Sequence, residues 1–166
     1  MVRSNRFFFL ILFVLLLGCN SKNGENDRNS LAEMEEYSYM FSMESVGNYK
    51  VDLQLNTDST YQIEQYNYFF DRHARTNTPN IRQGKLTSEE FVKIDKLIRE
   101  SDLHNMDDSY GFEDNSDNSI IYIIKLQEGD VPKYVSINAG SNHRFTKEFT
   151  ELIEFTTEFI NSKLVD

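Results

Sequence analysis

The chain reads as an α+β protein: an antiparallel sheet of about five to six strands with two helices packed on one face. Three observations predict this. Apolar residues recur with period two between Tyr37 and Leu55, and two later stretches repeat at helical spacing. Between those stretches, Glu128-Gly129-Asp130 divides two apolar runs in the manner of a hairpin turn. Antiparallel hairpins with only two helices favour a two-layer arrangement, in which helices cover one side of a twisted sheet and the other side stays partly solvated.

The first strands follow directly from alternation. Tyr37, Tyr39, Phe41 and Met43 alternate with mostly polar neighbours, as do Tyr49, Val51, Leu53 and Leu55 with Lys50, Asp52 and Gln54. Asn56-Thr57-Asp58-Ser59 carries turn chemistry, so a third strand runs from Thr60 towards Phe70. Its apolar phase changes between Ile63 and Tyr66, and a bulge near Gln65 accounts for the change. Asp71 to Asn80 is polar and ends in a Thr78-Pro79-Asn80 turn, after which Ile81 to Leu86 pairs back as a short strand.

The clearest local signal is the start of the first helix. Thr87 stands three residues before Glu90, the spacing of a capping box, and Phe91, Ile94, Leu97 and Ile98 fall on one face. The helix should end near Ser101, where an acidic loop begins and runs to Ser119. Ile120 to Gln127 is a nearly continuous apolar strand, and the turn after it leads to a second strand from Tyr134 to Asn138. A closing helix from about Thr146 to Leu164 lines up Phe149, Leu152, Ile153, Phe159 and Ile160, with Phe155 widening the stripe.

Ahead of this body the sequence has a different character. Arg3 and Arg6 supply positive charge, Phe7 to Leu17 is unbroken apolar sequence, and Gly18 precedes Cys19, the only cysteine of the 166 residues. Eleven apolar residues reach only about 17 Å as a helix, against ~30 Å of hydrocarbon, so a simple spanning segment is not expected. The three-part pattern is that of a secretory signal.

Leu16-Leu17-Gly18-Cys19 resembles the lipobox of bacterial lipoproteins. That resemblance implies that residues 1–18 are a signal peptide and that the Cys19 thiol is alkylated by a diacylglyceryl group. The peptidase then cuts before Cys19, and in many bacteria the new amine is acylated with a fatty acid such as palmitate. Two or three acyl chains, at about 0.8 kcal/mol per buried CH₂, hold a protein to a bilayer almost irreversibly. Asn20, rather than aspartate, follows the cysteine, which implies the outer membrane where the cell has one. The alternatives are ordinary secretion with cleavage elsewhere, or an uncleaved signal anchor.

Residues 19–33 then form the lipidated start and a tether, since Asn20 to Ser30 contains no apolar residue able to offset ordering entropy. Its r.m.s. reach is about 20 Å, and residues 34–166 form the single α+β domain. The order of elements from roughly residue 40 to 164 looks like that of an uncharacterised domain family found in small bacterial lipoproteins. This resemblance implies the fold and supplies no catalytic residues.

Composition narrows the function classes. Net charge is −10, and removing residues 1–18 takes away two arginines and no acids, leaving −12. Such a balance disfavours nucleic acid as a partner and disfavours lying flat on anionic lipid. With Cys19 lipidated there is no thiol left for a disulfide, a zinc site or a nucleophile.

Few groupings carry chemistry. His73, His104 and His143 lack the spacing of a metal-binding pair, and no Gly-x-Ser-x-Gly elbow makes Ser141 beside His143 a nucleophile. Asp102, Asp107, Asp108, Glu113, Asp114 and Asp117 crowd a stretch free of Lys and Arg, a hard-oxygen set of the kind that holds Ca²⁺. EF-hand spacing fails: counting from Asp114 puts Ser119 at the glycine position and Lys125 at the bidentate-glutamate position. The loop therefore reads first as solvated acid, and neither a metal nor another cofactor is expected.

Arg72, Arg75, Arg82 and Lys85 form the counterpart, four cations with no acid between them, beside Tyr66, Tyr68, Phe69 and Phe70. Tyrosines stack on sugars or peptides while arginines grip carboxylate or phosphate, so Tyr66, Tyr68, Arg72 and Arg75 are the candidate binding residues. The plainer alternative has the aromatics packing as cross-strand pairs and the cations solvated. The leading expectation is a non-enzymatic envelope lipoprotein that binds an envelope protein or a cell-wall glycan. The alternative is an envelope hydrolase or metal-dependent enzyme, for which His73, His104 and the acidic loop would converge.

Overall fold

A computed structural model describes residues 37–45, 47–68, 78–113 and 120–165. Cys19, the signal-peptide and tether segments, Arg72, His73, Arg75, Asp114 and Asp117 lie outside the described residues.

Seven strands form one sheet in the order β4-β3-β2-β1-β6-β7-β5. In chain order they are β1 (Tyr37–Ser45), β2 (Tyr49–Asn56), β3 (Thr60–Asn67), β4 (Asn80–Lys85), β5 (Ser109–Tyr110), β6 (Ile120–Glu128) and β7 (Val131–Asn138). Helix α1 (Ser88–Glu100) follows β4, a 3₁₀ turn spans Leu103–Asn105, and helix α2 (Lys147–Leu164) follows β7. The α+β class with two helices on one side of a sheet is as expected. The sheet is mixed rather than wholly antiparallel, because β5 runs parallel to β7.

Alternation puts one set of side chains into the core. Phe41 pairs with Leu53 on one side and Ile124 on the other, Leu53 pairs onward with Ile63, and Ile124 with Val135. All five are at most 1% exposed, a continuous apolar row across five strands. The next row joins Tyr61, Leu55, Tyr39 and Leu126. Burying each large side chain fully contributes about 1.5–3 kcal/mol, so these rows dominate the sheet's stability.

Both helices close over this face. Thr156 of α2 meets the buried Tyr39 hydroxyl at 3.2 Å, and Phe159 stands edge-on to Tyr61 with ring centres 5.1 Å apart. From α1, the Arg99 guanidinium lies 5.9 Å from the centre of the Tyr37 ring. Lys163 Nζ of α2 pairs with Glu90 Oε1 of α1 at 3.0 Å, tying the two helices to each other. Glu90 is also the capping-box residue: its Oε2 accepts the Thr87 amide at 2.8 Å, and the Thr87 hydroxyl accepts the Glu90 amide. The Thr87 amide, then the Lys163 ammonium, hold the Glu90 carboxyl below the usual carboxylate range.

Besides the mixed sheet, expectations for β3, the acidic loop and the start of β7 need correction. β3 pairs with β2 without interruption from Leu55↔Tyr61 to Tyr49↔Asn67, so there is no bulge at Gln65. The phase change has a simpler cause: Gln65 takes an inward position at the sheet's end, where the core no longer demands an apolar residue, and Tyr66 faces outward. Secondly, the acidic loop contains β5, a seventh strand. Ser136 donates its amide to the Asp108 carbonyl at 2.9 Å, and Lys133 Nζ reaches Asp108 Oδ1 at 2.7 Å. A two-residue strand has no periodicity of its own, and only its neighbour β7 makes it one.

The β6–β7 hairpin closes through Gly129 and Asp130, with Glu128 opposite Val131, so β7 begins before Tyr134. Gly129 has φ +60°, the left-handed value wanted at the first position of such a turn.

The Tyr39 hydroxyl gives a direct test. Burial holds its phenol well above the usual tyrosine range, so it stays neutral and needs Thr156 as its partner. Thr156→Val should lower unfolding free energy by about 1–3 kcal/mol in urea titrations, because it orphans a buried hydroxyl. The double change Tyr39→Phe/Thr156→Val should recover most of that loss.

Candidate binding surfaces

Helices occupy one face of the sheet, and among the described residues no helix lies on the other. The outward row from β3 to β6 reads Tyr66, Lys50, Glu44, Ile121, and the next reads Glu64, Asp52, Ser42, Ile123. Charged, aromatic and apolar side chains are interleaved here. A shallow groove of about 370 Å³ runs over it between Met40, Ser42, Lys50, Asp52, Ile123 and Tyr134.

Tyr66 and Tyr68 sit at one end of this face. Their rings stack with centres 6.3 Å apart and planes 15° apart, and both are half-buried. The Tyr68 amide donates to the Asn48 carbonyl at 2.9 Å, which fixes the chain just past β3. Lys50 Nζ lies 5.8 Å from the Tyr66 ring centre and 2.8 Å from Asp52 Oδ2. The Asp52 carboxylate raises the Lys50 pKa through that hydrogen bond.

Asp52 and Glu64 stand directly opposite each other, a like-charge pairing that costs stability unless answered. Lys50 answers Asp52, while the Tyr66 hydroxyl and Gln62 Nε2 both donate to Glu64, each at 2.6 Å. The Tyr66 ring is thus held by its own hydroxyl, and the Glu64 carboxylate pushes its pKa up to about 12. Of the four sequence-derived binding residues, Tyr66 and Tyr68 come together here, and Arg72 and Arg75 lie outside the described residues.

A second hollow escaped the sequence reading. A pocket of about 480 Å³ opens between the Asn138–Phe145 loop and the first two turns of α2. Tyr122, Ile137, Phe149 and Ile153 give it apolar walls, and Ser141, His143, Arg144, Thr150 and Glu154 give it polar ones. One flank is an aromatic cluster in which the His143 ring lies 4.5 Å from Tyr110 and 4.6 Å from Phe145, with Phe149 5.0 Å beyond Phe145. Gly111, just after β5, has φ +77°, and a Cβ there would come within 2.1 Å of the Ser141 Cβ. Only glycine lets the β5 loop pack so closely against the pocket's rim. The lining residues are spread over β6, β7, a loop and α2, so no local pattern marks them.

Ser141 and His143 both line the pocket, and no hydrogen bond joins them among the described residues. His104 pairs elsewhere, with Nε2 2.6 Å from Glu128 Oε2. In the acidic loop Asp102 accepts from Asn105 Nδ2 at 2.6 Å, and Asp108 pairs with Lys133. Among the described residues no three His, Cys, Asp or Glu side chains converge as a metal site, and no helix is long and apolar enough to cross a membrane. No protein-family model matches the chain, and a search of characterised proteins finds no match.

Glu64→Gln removes the carboxylate that holds the Tyr66 hydroxyl. The Tyr66 pKa should fall from about 12 towards the ordinary value of 10.0, read from the phenolate absorbance of a pH titration or from ring-carbon shifts.

Proposed function

We propose that the protein is a lipid-anchored lipoprotein of the bacterial envelope. Its uncovered sheet face, with the Tyr66–Tyr68 pair, binds another envelope component. Acylated Cys19 inserts in a bilayer, the outer membrane where there is one, and the polar sequence after it lets the body stand off the lipid. The Leu16-Leu17-Gly18-Cys19 sequence supports the anchor.

The single observation behind the binding role is the stacked pair Tyr66 and Tyr68, partly exposed beside Lys50 and Asp52 on the face that the helices leave open. Flat aromatic faces next to hydrogen-bonding and charged groups suit the rings of a cell-wall glycan, or a protein surface, better than they suit chemistry. Arg72 and Arg75, a few residues further on, supply guanidinium groups for the carboxylates that such a partner carries. The strong negative charge of the chain fits neither nucleic acid nor a flat anionic membrane as the target.

Three measurements test this. Mass spectrometry of the native product should find an N-terminus at Cys19 carrying acyl chains, and Cys19→Ala should release the protein from membranes. A bare sulfur would remove the anchor. For the binding role, crosslinked pull-downs from intact envelopes should recover a partner that is lost with Tyr68→Ala/Arg72→Ala, and unchanged recovery would reject this edge.

A further inference from the structure

The pocket beside α2 is separate from the tyrosine edge, and its chemistry points to a different kind of ligand. Its volume, about 480 Å³, falls in the range of small-molecule sites, and its apolar walls call for an apolar body to displace water from them. Its rim carries one cation and one anion, Arg144 and Glu154, both exposed. Neither forms an ion pair among the described residues, although other charges on α2 do, such as exposed Lys147 with half-buried Glu151 at 3.0 Å. Two opposite charges thus border one hollow without neutralising each other.

We propose that this pocket binds a small zwitterion with an apolar body, the chemistry of a free aromatic α-amino acid. The ligand carboxylate meets Arg144, which offers a planar fork of donors, and the ligand ammonium meets Glu154. The side chain lies against Tyr122, Phe145 and Ile153, the partly exposed apolar residues of the lining. Net charge separates this ligand from its simpler relatives. A chain at −10 repels anions at long range and attracts cations without discrimination, whereas a zwitterion is neutral overall and gains only from the paired rim. A carboxylate alone would leave Glu154 unanswered, and an amine alone would leave Arg144 unanswered.

The test uses the full chain in lipid nanodiscs, with empty nanodiscs as the control, and equilibrium dialysis of three probes: L-phenylalanine, 3-phenylpropanoate and phenethylamine. L-phenylalanine should bind at least about tenfold more tightly than either single-charge analogue. Arg144→Gln should weaken L-phenylalanine by about tenfold and leave phenethylamine unchanged, while Glu154→Gln should also weaken L-phenylalanine by about tenfold and leave 3-phenylpropanoate unchanged. Both side chains are exposed, so thermal unfolding of the variants should match that of the parent and separate lost binding from lost folding. Equal affinity for the three probes overturns the proposal. So does the absence of saturation by about 10 mM L-phenylalanine, or parental binding in both variants. None of these outcomes bears on the tyrosine edge, whose own test uses different residues and a different partner.

Discussion

β1 is hydrogen-bonded along almost its whole length to two neighbours, β2 on one side and β6 on the other, and its alternate residues Tyr37, Tyr39 and Phe41 are buried. Side-chain direction in a strand repeats every two residues, so a slip of one position would send Tyr39 and Phe41 to solvent and bring Ser38, Met40 and Ser42 under the helices. That penalty fixes the register of β1, and through it the registers of β2 and β6. The helices then dock where the apolar rows are continuous, and the Tyr39 hydroxyl finds its partner on α2 only in this register.

The same constraint shapes the open face. Once every second residue is committed inward, the remaining ones meet across strands in whatever pairs the register dictates, and it sets Asp52 against Glu64. Lys50, Gln62 and the Tyr66 hydroxyl relieve that repulsion, which leaves the Tyr66 ring held in place and stacked on Tyr68. The proposed binding edge is thus a by-product of how a like-charge pair is accommodated. On the core side, the close approach of Gly111 to Ser141 sets the rim of the pocket beside α2.

Strong local signals were legible from residues alone. Thr87 and Glu90 state where α1 begins, because the capping box is built from contacts three residues apart. Gly129 and Asp130 close the β6–β7 hairpin for a similar reason: the turn needs a left-handed residue, and glycine supplies it. Beyond these local patterns, structure depends on partners that are distant in the chain. An inward Gln65 looked like a break in phase, since sequence does not show where the core stops needing apolar residues. Ser109 and Tyr110 looked like loop, since a two-residue strand is defined by its partner. Tyr66 and Tyr68 stack across only two positions of the chain, whereas Lys50 and the Asn48 carbonyl reach them because β2 lies alongside.

The sequence by itself determined the alternation of the strands and the helix starts, features encoded within a few consecutive residues, and through their order the α+β class. Tertiary structure alone decided the strand order, the parallel seventh strand and the pocket in which Tyr122, Ile137, Arg144 and Glu154 meet. Hydrogen-bond periods and capping distances are short-range and recur in the chain itself, whereas a cavity and a sheet edge arise from which distant surfaces can be buried together.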